Sequence, residues 1–226
     1  MDRTPPPPPP APAPSAGSEG GPPSSTGVAS AQPGIGPAPA LPGYIEEGNA
    51  SWYGIPFHGQ RAANGETYDM YQFTAAHRTL PFDTLVRVTN LLNNNSTIVR
   101  ITDRGPFVDN RVIDLSLAAA RALDMVAAGV VPVRIEVLSS SIAPAAGFFT
   151  VQVGAFLERG NAERLRDRLA LAYSPVFIQE FDAPNGHFYR VRVGRISGED
   201  AARQFSQTLR QNEGFSDPMV VRLDEQ

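Results

Sequence analysis

The stretch LVRVTNLLNNNSTIVRITDRGPF, residues 85–107, decides how the central part of the chain folds. In LVRVTN, Leu85, Arg87 and Thr89 alternate with Val86 and Val88; in TIVRIT, Thr97, Val99 and Ile101 alternate with Ile98 and Arg100. A period of two marks a strand with one buried face, because successive side chains of a strand point to opposite sides. NLLNNN and DRGPF bracket the second run with turn-forming residues. Further short runs lie on both sides: ASWYG, RVIDLS and VPVRIEVL. One helix interrupts them, LAAARALDMVAA, with Ser116 placed to cap its start and Gly129 to end it. Many short strands with one helix predict a compact β-barrel over residues 44–143.

After a linker at 144–147, residues 148–226 carry a repeat. FFTVQVGAF (148–156) and FYRVRVGRI (188–196) share the pattern F-[FY]-x-V-x-V-G. A helical pattern follows each, AERLRDRLALA and EDAARQFSQTLR, and then a strand, PVFIQEF and PMVVRL. Two β-α-β units in tandem predict a ferredoxin-like βαββαβ domain. Val151, Val153, Val191 and Val193 share one parity and are expected to face the helices. Thr150, Gln152, Arg190 and Arg192 then lie on an uncovered sheet face, with Phe177 and Gln179 beside them. An ordinary solvated sheet face and a flat binding surface both fit that pattern.

Fourteen of the 22 prolines fall in residues 1–43, a segment without any aromatic residue. It lacks the apolar surface to offset chain entropy and reads as a disordered, partly polyproline-II tether. The net charge of −4 and the lack of a basic cluster argue against nucleic acid as a partner. Without cysteine, no disulfide frame, zinc–thiolate site or cysteine nucleophile is possible. His58, His77 and His187 are scattered without ligand spacing, so no metal and no cofactor is expected. No apolar run reaches the length of a membrane span.

Four side chains stand out as candidates for chemistry. Asp103 lies where a strand gives way to a turn, a position that aims a carboxylate into a cleft or closes an Asx-turn. Glu66 follows the turn-prone pair Asn64-Gly65 and is either presented into a cleft or simply exposed. His77 is a satisfied core histidine or a donor that orients an acid or a sugar. Asp114 is a second possible acid, or the capping carboxylate of the helix.

Together, ASWYG, FHGQRAANGETYD, TAAHRTLPF, VRVTN, VRITDRGPF and RVIDLS resemble the double-psi β-barrel of rare lipoprotein A, a septal-ring lytic transglycosylase family. FTVQVGAF and FYRVRVG resemble the SPOR domain that often follows that barrel. The matches cover about residues 49–226. The resemblance implies a six-stranded barrel and an endo-acting lyase that cleaves the bond between N-acetylmuramic acid and N-acetylglucosamine, leaving 1,6-anhydro ends. Glu66, His77 and Asp103 fall on family positions associated with activity, with Asp103 as general acid/base, Glu66 and His77 tuning it, and Asp114 as second choice. Trp52, Tyr53 and Arg104 are expected to contact substrate in the barrel, and Gln152, Phe177, Gln179, Arg190 and Arg192 to contact glycan in the SPOR domain. The implied partners are peptide-stripped glycan strands and proteins of the division septum, for a periplasmic monomer. Family members are outer-membrane lipoproteins acylated on an N-terminal cysteine; this chain has none, and is expected to begin just after it. A non-catalytic, expansin-like glycan binder or a septal scaffold is the alternative that the same motifs allow.

Overall fold

A computed structural model describes residues 43–108, 110–183 and 186–224. The tether expected over 1–43 therefore lies, apart from Gly43, outside the described residues. Six strands close into a barrel: β1 Ile45–Tyr53, β2 Thr74–His77, β3 Leu85–Asn90, β4 Ser96–Asp103, β5 Arg111–Ser116 and β6 Val131–Ser139. Their order around the barrel is β1-β5-β2-β4-β3-β6. The pairs β1–β5 and β2–β4 run parallel and the others antiparallel. The alternation in residues 85–101 orients β3 and β4: Val86, Val88, Val99 and Ile101 are buried, while Leu85, Arg87 and Ile98 are exposed. With Ile113, Leu115, Val133 and Ile135 they form one apolar core. Each such side chain contributes about 1.5–3 kcal/mol by leaving water.

Strand β2 has no periodic signal. It is four residues long, TAAH, and all four are buried. Alanine is a weak strand former, and only the neighbours β4 and β5 hold this segment extended. Its place between them positions the site, because Ala76 pairs with Asp103 on one side and with Asp114 on the other.

The barrel helix, α1 Leu117–Ala122, is shorter than the sequence pattern predicts. Ser116 caps it as expected, its Oγ accepting the Ala119 N–H at 3.3 Å. Leu123 then ends the helix, and Asp124 takes a left-handed conformation (φ 51°). Leaving the helix early lets both Leu123 and Met125 reach the barrel core, where each is fully buried.

The second domain comprises β7 Phe148–Phe156, α2 Arg159–Ala170, β8 Val176–Ala183, β9 Gly186–Ser197, α3 Glu199–Glu213 and β10 Met219–Leu223. Its antiparallel sheet has the order β10-β7-β9-β8. Val151, Val191 and Val193 pack with Ala162, Leu169 and Leu209 beneath the helices, and Val153 packs at their margin.

The opposite sheet face is not uncovered, which corrects the sequence expectation. Gln152, Arg190 and Arg192 are 6%, 7% and 4% exposed because the barrel domain sits on them. Arg104 of the barrel forms a bidentate ion pair with Asp224, just beyond β10. Arg222 of β10 reaches the barrel twice, its backbone N–H donating to the Arg78 carbonyl at 3.0 Å and its Nε to the Thr79 carbonyl at 2.6 Å. Alternation gives the direction of a side chain but not what covers it. Of the expected glycan contacts, Phe177, half-buried, and Gln179, exposed, remain on the open surface, and Arg190 reaches only the cleft between the two domains.

Candidate active site

Asp103 ends β4 and Asp114 lies within β5, with Ala76 of β2 between them. Strands are spaced about 4.8 Å apart, so the two backbones stand roughly 10 Å apart. The methyl group of Ala76 leaves the space between the carboxylates open. All three residues line one cleft of about 180 Å³.

Asp103 Oδ1 accepts the Ala63 N–H at 3.0 Å and the Arg104 N–H at 2.8 Å. These donors are not those of an Asx-turn, which would use the Gly105 N–H. Burial nonetheless pushes the Asp103 carboxyl above its ordinary value, against the pull of those two donors and of Arg104 and Arg190. Asp114 is likewise raised by burial, opposed by the Ser51 hydroxyl, which donates to it at 2.6 Å, and by Arg111. It does not cap the helix. Both acids are thus biased toward the protonated form, the state a proton donor requires.

Aromatic rings wall the cleft. Tyr53 stacks on Tyr68 with centroids 4.3 Å apart, and Phe57 meets Tyr53 edge-on at 5.6 Å. The Tyr53 hydroxyl is buried with no hydrogen-bond partner among the described residues. Burial, with the charge of Asp103 next, keeps it protonated, so it holds a proton to donate into the cleft. Trp52, one residue earlier, points the other way. It packs against the barrel core and against the cluster of Tyr68, Met70 and Leu117, and does not line the cleft.

Glu66 and His77 are not side by side. Gly65, at φ 93°, makes the expected turn, a conformation that favours glycine. Glu66 then forms a bidentate pair with Arg100 at 2.6 and 2.9 Å and lines a separate depression with Thr67, Gln72 and Phe73. Arg100 holds the Glu66 carboxyl below its usual range. An acid kept ionised in this way cannot donate a proton near neutrality. The 61–67 turn does, however, supply the Ala63 N–H to Asp103, and the Glu66 carbonyl closes that turn by accepting the Ala62 N–H at 2.8 Å.

His77 is buried, its Nδ1 accepting the N–H groups of Thr79 and Leu80 at 3.1 and 3.0 Å. Its Nε2 lies 3.2 Å from Glu46. The loop pinned in this way offers the His77 and Leu80 carbonyls to Arg104 Nη1. Four of the five N–H groups of Arg104 are engaged by these carbonyls and by Asp224, and its guanidinium stacks at 3.8 Å on Phe82, so it braces the wall of the cleft that it lines. Among the described residues no group of side chains could hold a metal ion, and no helix is long and apolar enough to cross a membrane.

Two outcomes follow from these placements. Glu66→Gln should weaken activity about tenfold by loosening the 61–67 turn, far less than loss of an acid, and should leave the pH profile unchanged in steady-state assays. Burial would raise the Glu46 carboxyl, but His77 and Tyr44 bring it from its ordinary 4.5 to about 2. A depressed acid contributes stability that is present above its unfolded value and lost as pH falls through the folded one. Glu46→Gln should therefore flatten the stability curve between about pH 4.5 and 2 in acid titrations.

Tyr68, Phe57 and Phe107 do not stand out in the sequence, although all three line the cleft. Their only signal is the density of aromatics around the turn motifs that frame Asp103.

Comparison with known proteins agrees with this architecture. The sequence model of a family described as lytic transglycolase matches residues 45–135, and that of the SPOR domain matches residues 145–222. The endolytic peptidoglycan transglycosylase RlpA of Helicobacter pylori strain J99 is 40% identical over 195 residues, covering 74% of this chain and 62% of the relative. RlpA of Campylobacter jejuni is 39% identical over 208 residues, covering 80% of this chain and 73% of its own length. RlpA of Pseudomonas aeruginosa strain UCBPP-PA14 is 35% identical over 246 residues, covering 80% of this chain and 72% of its own length. The chain thus spans less than two thirds of the H. pylori protein.

Proposed function

The chain belongs to the RlpA family, and on that premise we propose that it is an endo-acting lytic transglycosylase of peptidoglycan with Asp103 as its acid/base. The observation that carries this reading is the pair of half-buried, pKa-raised carboxyls facing one aromatic-walled cleft. Protonated Asp103 gives its proton to the glycosidic oxygen, and N-acetylglucosamine departs as the alcohol. The muramoyl C6 hydroxyl adds to C1 and returns its proton to Asp103, closing the 1,6-anhydro ring. No water is consumed, because the nucleophile is already held within the substrate.

Asp114 stays the second-choice acid; as an anion it would steady positive charge at C1 across Ala76. Tyr53, Tyr68 and Phe57 offer apolar faces to the sugar rings, and the Tyr53 hydroxyl offers a hydrogen bond. Glu66 and His77 position Asp103 and Arg104. Peptide-stripped glycan is the proposed substrate, since bulky stems fit poorly beside a cleft with a second domain at its rim. Action in the periplasm, at the division septum during daughter-cell separation and with outer-membrane anchoring as in the resembled family, belongs to the same proposal.

Mass spectrometry of soluble products tests it. Anhydro-muramoyl oligosaccharides should be released from peptide-stripped glycan in preference to intact peptidoglycan. Binding without any product would favour the expansin-like alternative.

A further inference from the structure

The cleft is not built by the barrel alone. Phe181, Asp182, Ala183 and Arg190 of the second domain line it opposite Asp103 and Asp114. The Arg190 guanidinium is held between two rings, 4.0 Å from the centroid of Phe107 in the barrel and 3.6 Å from that of Phe181 in its own sheet. This sandwich fixes the cation at the seam between the domains while leaving its N–H edge free of the rings. Other cations near the acids are committed or outlying. Arg104 is engaged by Asp224 and two carbonyls, Arg111 pairs with Asp114, and Arg61 is exposed at the rim.

Along β8, Phe177, Gln179 and Phe181 share the side that carries Arg192 and Arg190, opposite which Phe177 and Gln179 pair. β8 is the edge strand, and there the barrel leaves part of the face open. Four residue steps of about 3.4 Å run from exposed sheet into the cleft. The two domains therefore present one path, apolar rings alternating with an amide, that ends at the acids.

We propose that this path is a single glycan track shared by both domains, and that Arg190 at its seam is a specificity residue that reads the free lactyl carboxylate of a muramoyl unit. The inference rests on the reading of the cleft as a glycan site. A peptide stem is joined to muramic acid through that carboxyl as an amide, so only stripped glycan presents the anion. In a cleft containing Asp103 and Asp114, an incoming carboxylate needs a compensating cation, and a guanidinium matches its geometry. Selection for stripped glycan then has two sources, space and charge, and the second is held by Arg190.

The experiment uses the full chain and two peptide-stripped glycans, one with free lactyl carboxylates and one with the same groups converted to primary amides. Wild-type protein should favour the carboxylate form about tenfold to a hundredfold in kcat/KM, chiefly through KM. Arg190→Gln should lose that preference, so that the two glycans are used with similar kcat/KM whatever the absolute rate, and Arg190→Lys should recover part of it. Binding of both glycans to an Asp103→Asn chain reads the same ratio without turnover. Failure of the lytic reaction is therefore distinguishable from failure of the seam. Equal use of both glycans by wild type, an undiminished preference in Arg190→Gln, or a preference lost in Arg61→Gln instead would overturn the proposal.

Discussion

Asp103→Asn is expected to lower turnover by about 10² to 10⁴ while the protein stays folded. The asparagine Oδ1 can still accept the Ala63 and Arg104 N–H groups, so the turn that frames the cleft survives. Only the ability to give and retrieve a proton is lost. The stability effect has a definite sign as well. The folded-state carboxyl is raised above its ordinary value, chiefly by burial, so its stabilising contribution is complete below the unfolded value and fades as pH rises through the folded one. At neutral pH the amide removes that burden, and Asp103→Asn should melt no lower than wild type. Wild-type activity should fall as pH rises through the raised value, because the donor must begin protonated. Full activity in Asp103→Asn, paired with loss in Asp114→Asn, would transfer the acid's role to β5.

Arg104→Ala is expected to have the largest effect on stability, about 2–4 kcal/mol in denaturant unfolding. Arg104 is 9% exposed and joins two elements 120 residues apart. Its loss leaves Asp224 without its partner, leaves the buried His77 and Leu80 carbonyls short of a donor, and empties the space over Phe82. The estimate lies below the full range for breaking a buried pair because the Asp224 side chain is 26% exposed and regains water. Lysine should rescue little, since one ammonium cannot reproduce the fork to Asp224 and also serve two carbonyls. Asp224→Asn should cost less than Arg104→Ala, as it leaves the carbonyl bonds intact. The same substitutions should loosen the seat of the second domain on the barrel and weaken glycan binding along with stability.

Most of the fold was legible where one interaction range sufficed. The two-residue period of β3 and β4 set which valines are buried, and the repeated V-x-V-G motifs set the sheet that packs on α2 and α3. Strand β2 was not legible, because TAAH has a single β-branched residue, Thr74, and no alternation, and is held extended by its neighbours. The site was half legible. Asp103 stood out at its strand end and Asp114 within RVIDLS, but their convergence depends on Ala76 between them, a pairing across 27 and 38 residues. Glu66 and His77 were both implied to tune Asp103. The structure gives each a different partner, Arg100 and Glu46, which a strand arginine and a residue near the start of β1 gave no reason to expect. The sheet face carrying Gln152, Arg190 and Arg192 was oriented correctly and its cover missed, since the cover comes from contacts such as Arg104–Asp224 that no local pattern encodes.

On the proposed reading the cleft at Asp103 breaks the glycan without water. Cleavage of peptide-stripped glycan by the full chain in ¹⁸O-labelled water, with the new muramoyl ends read by mass spectrometry, tests it most directly. Anhydro ends carrying no ¹⁸O are expected, and none of these ends with Asp103→Asn. New reducing ends that each carry one ¹⁸O atom would make the protein a hydrolase and contradict the account.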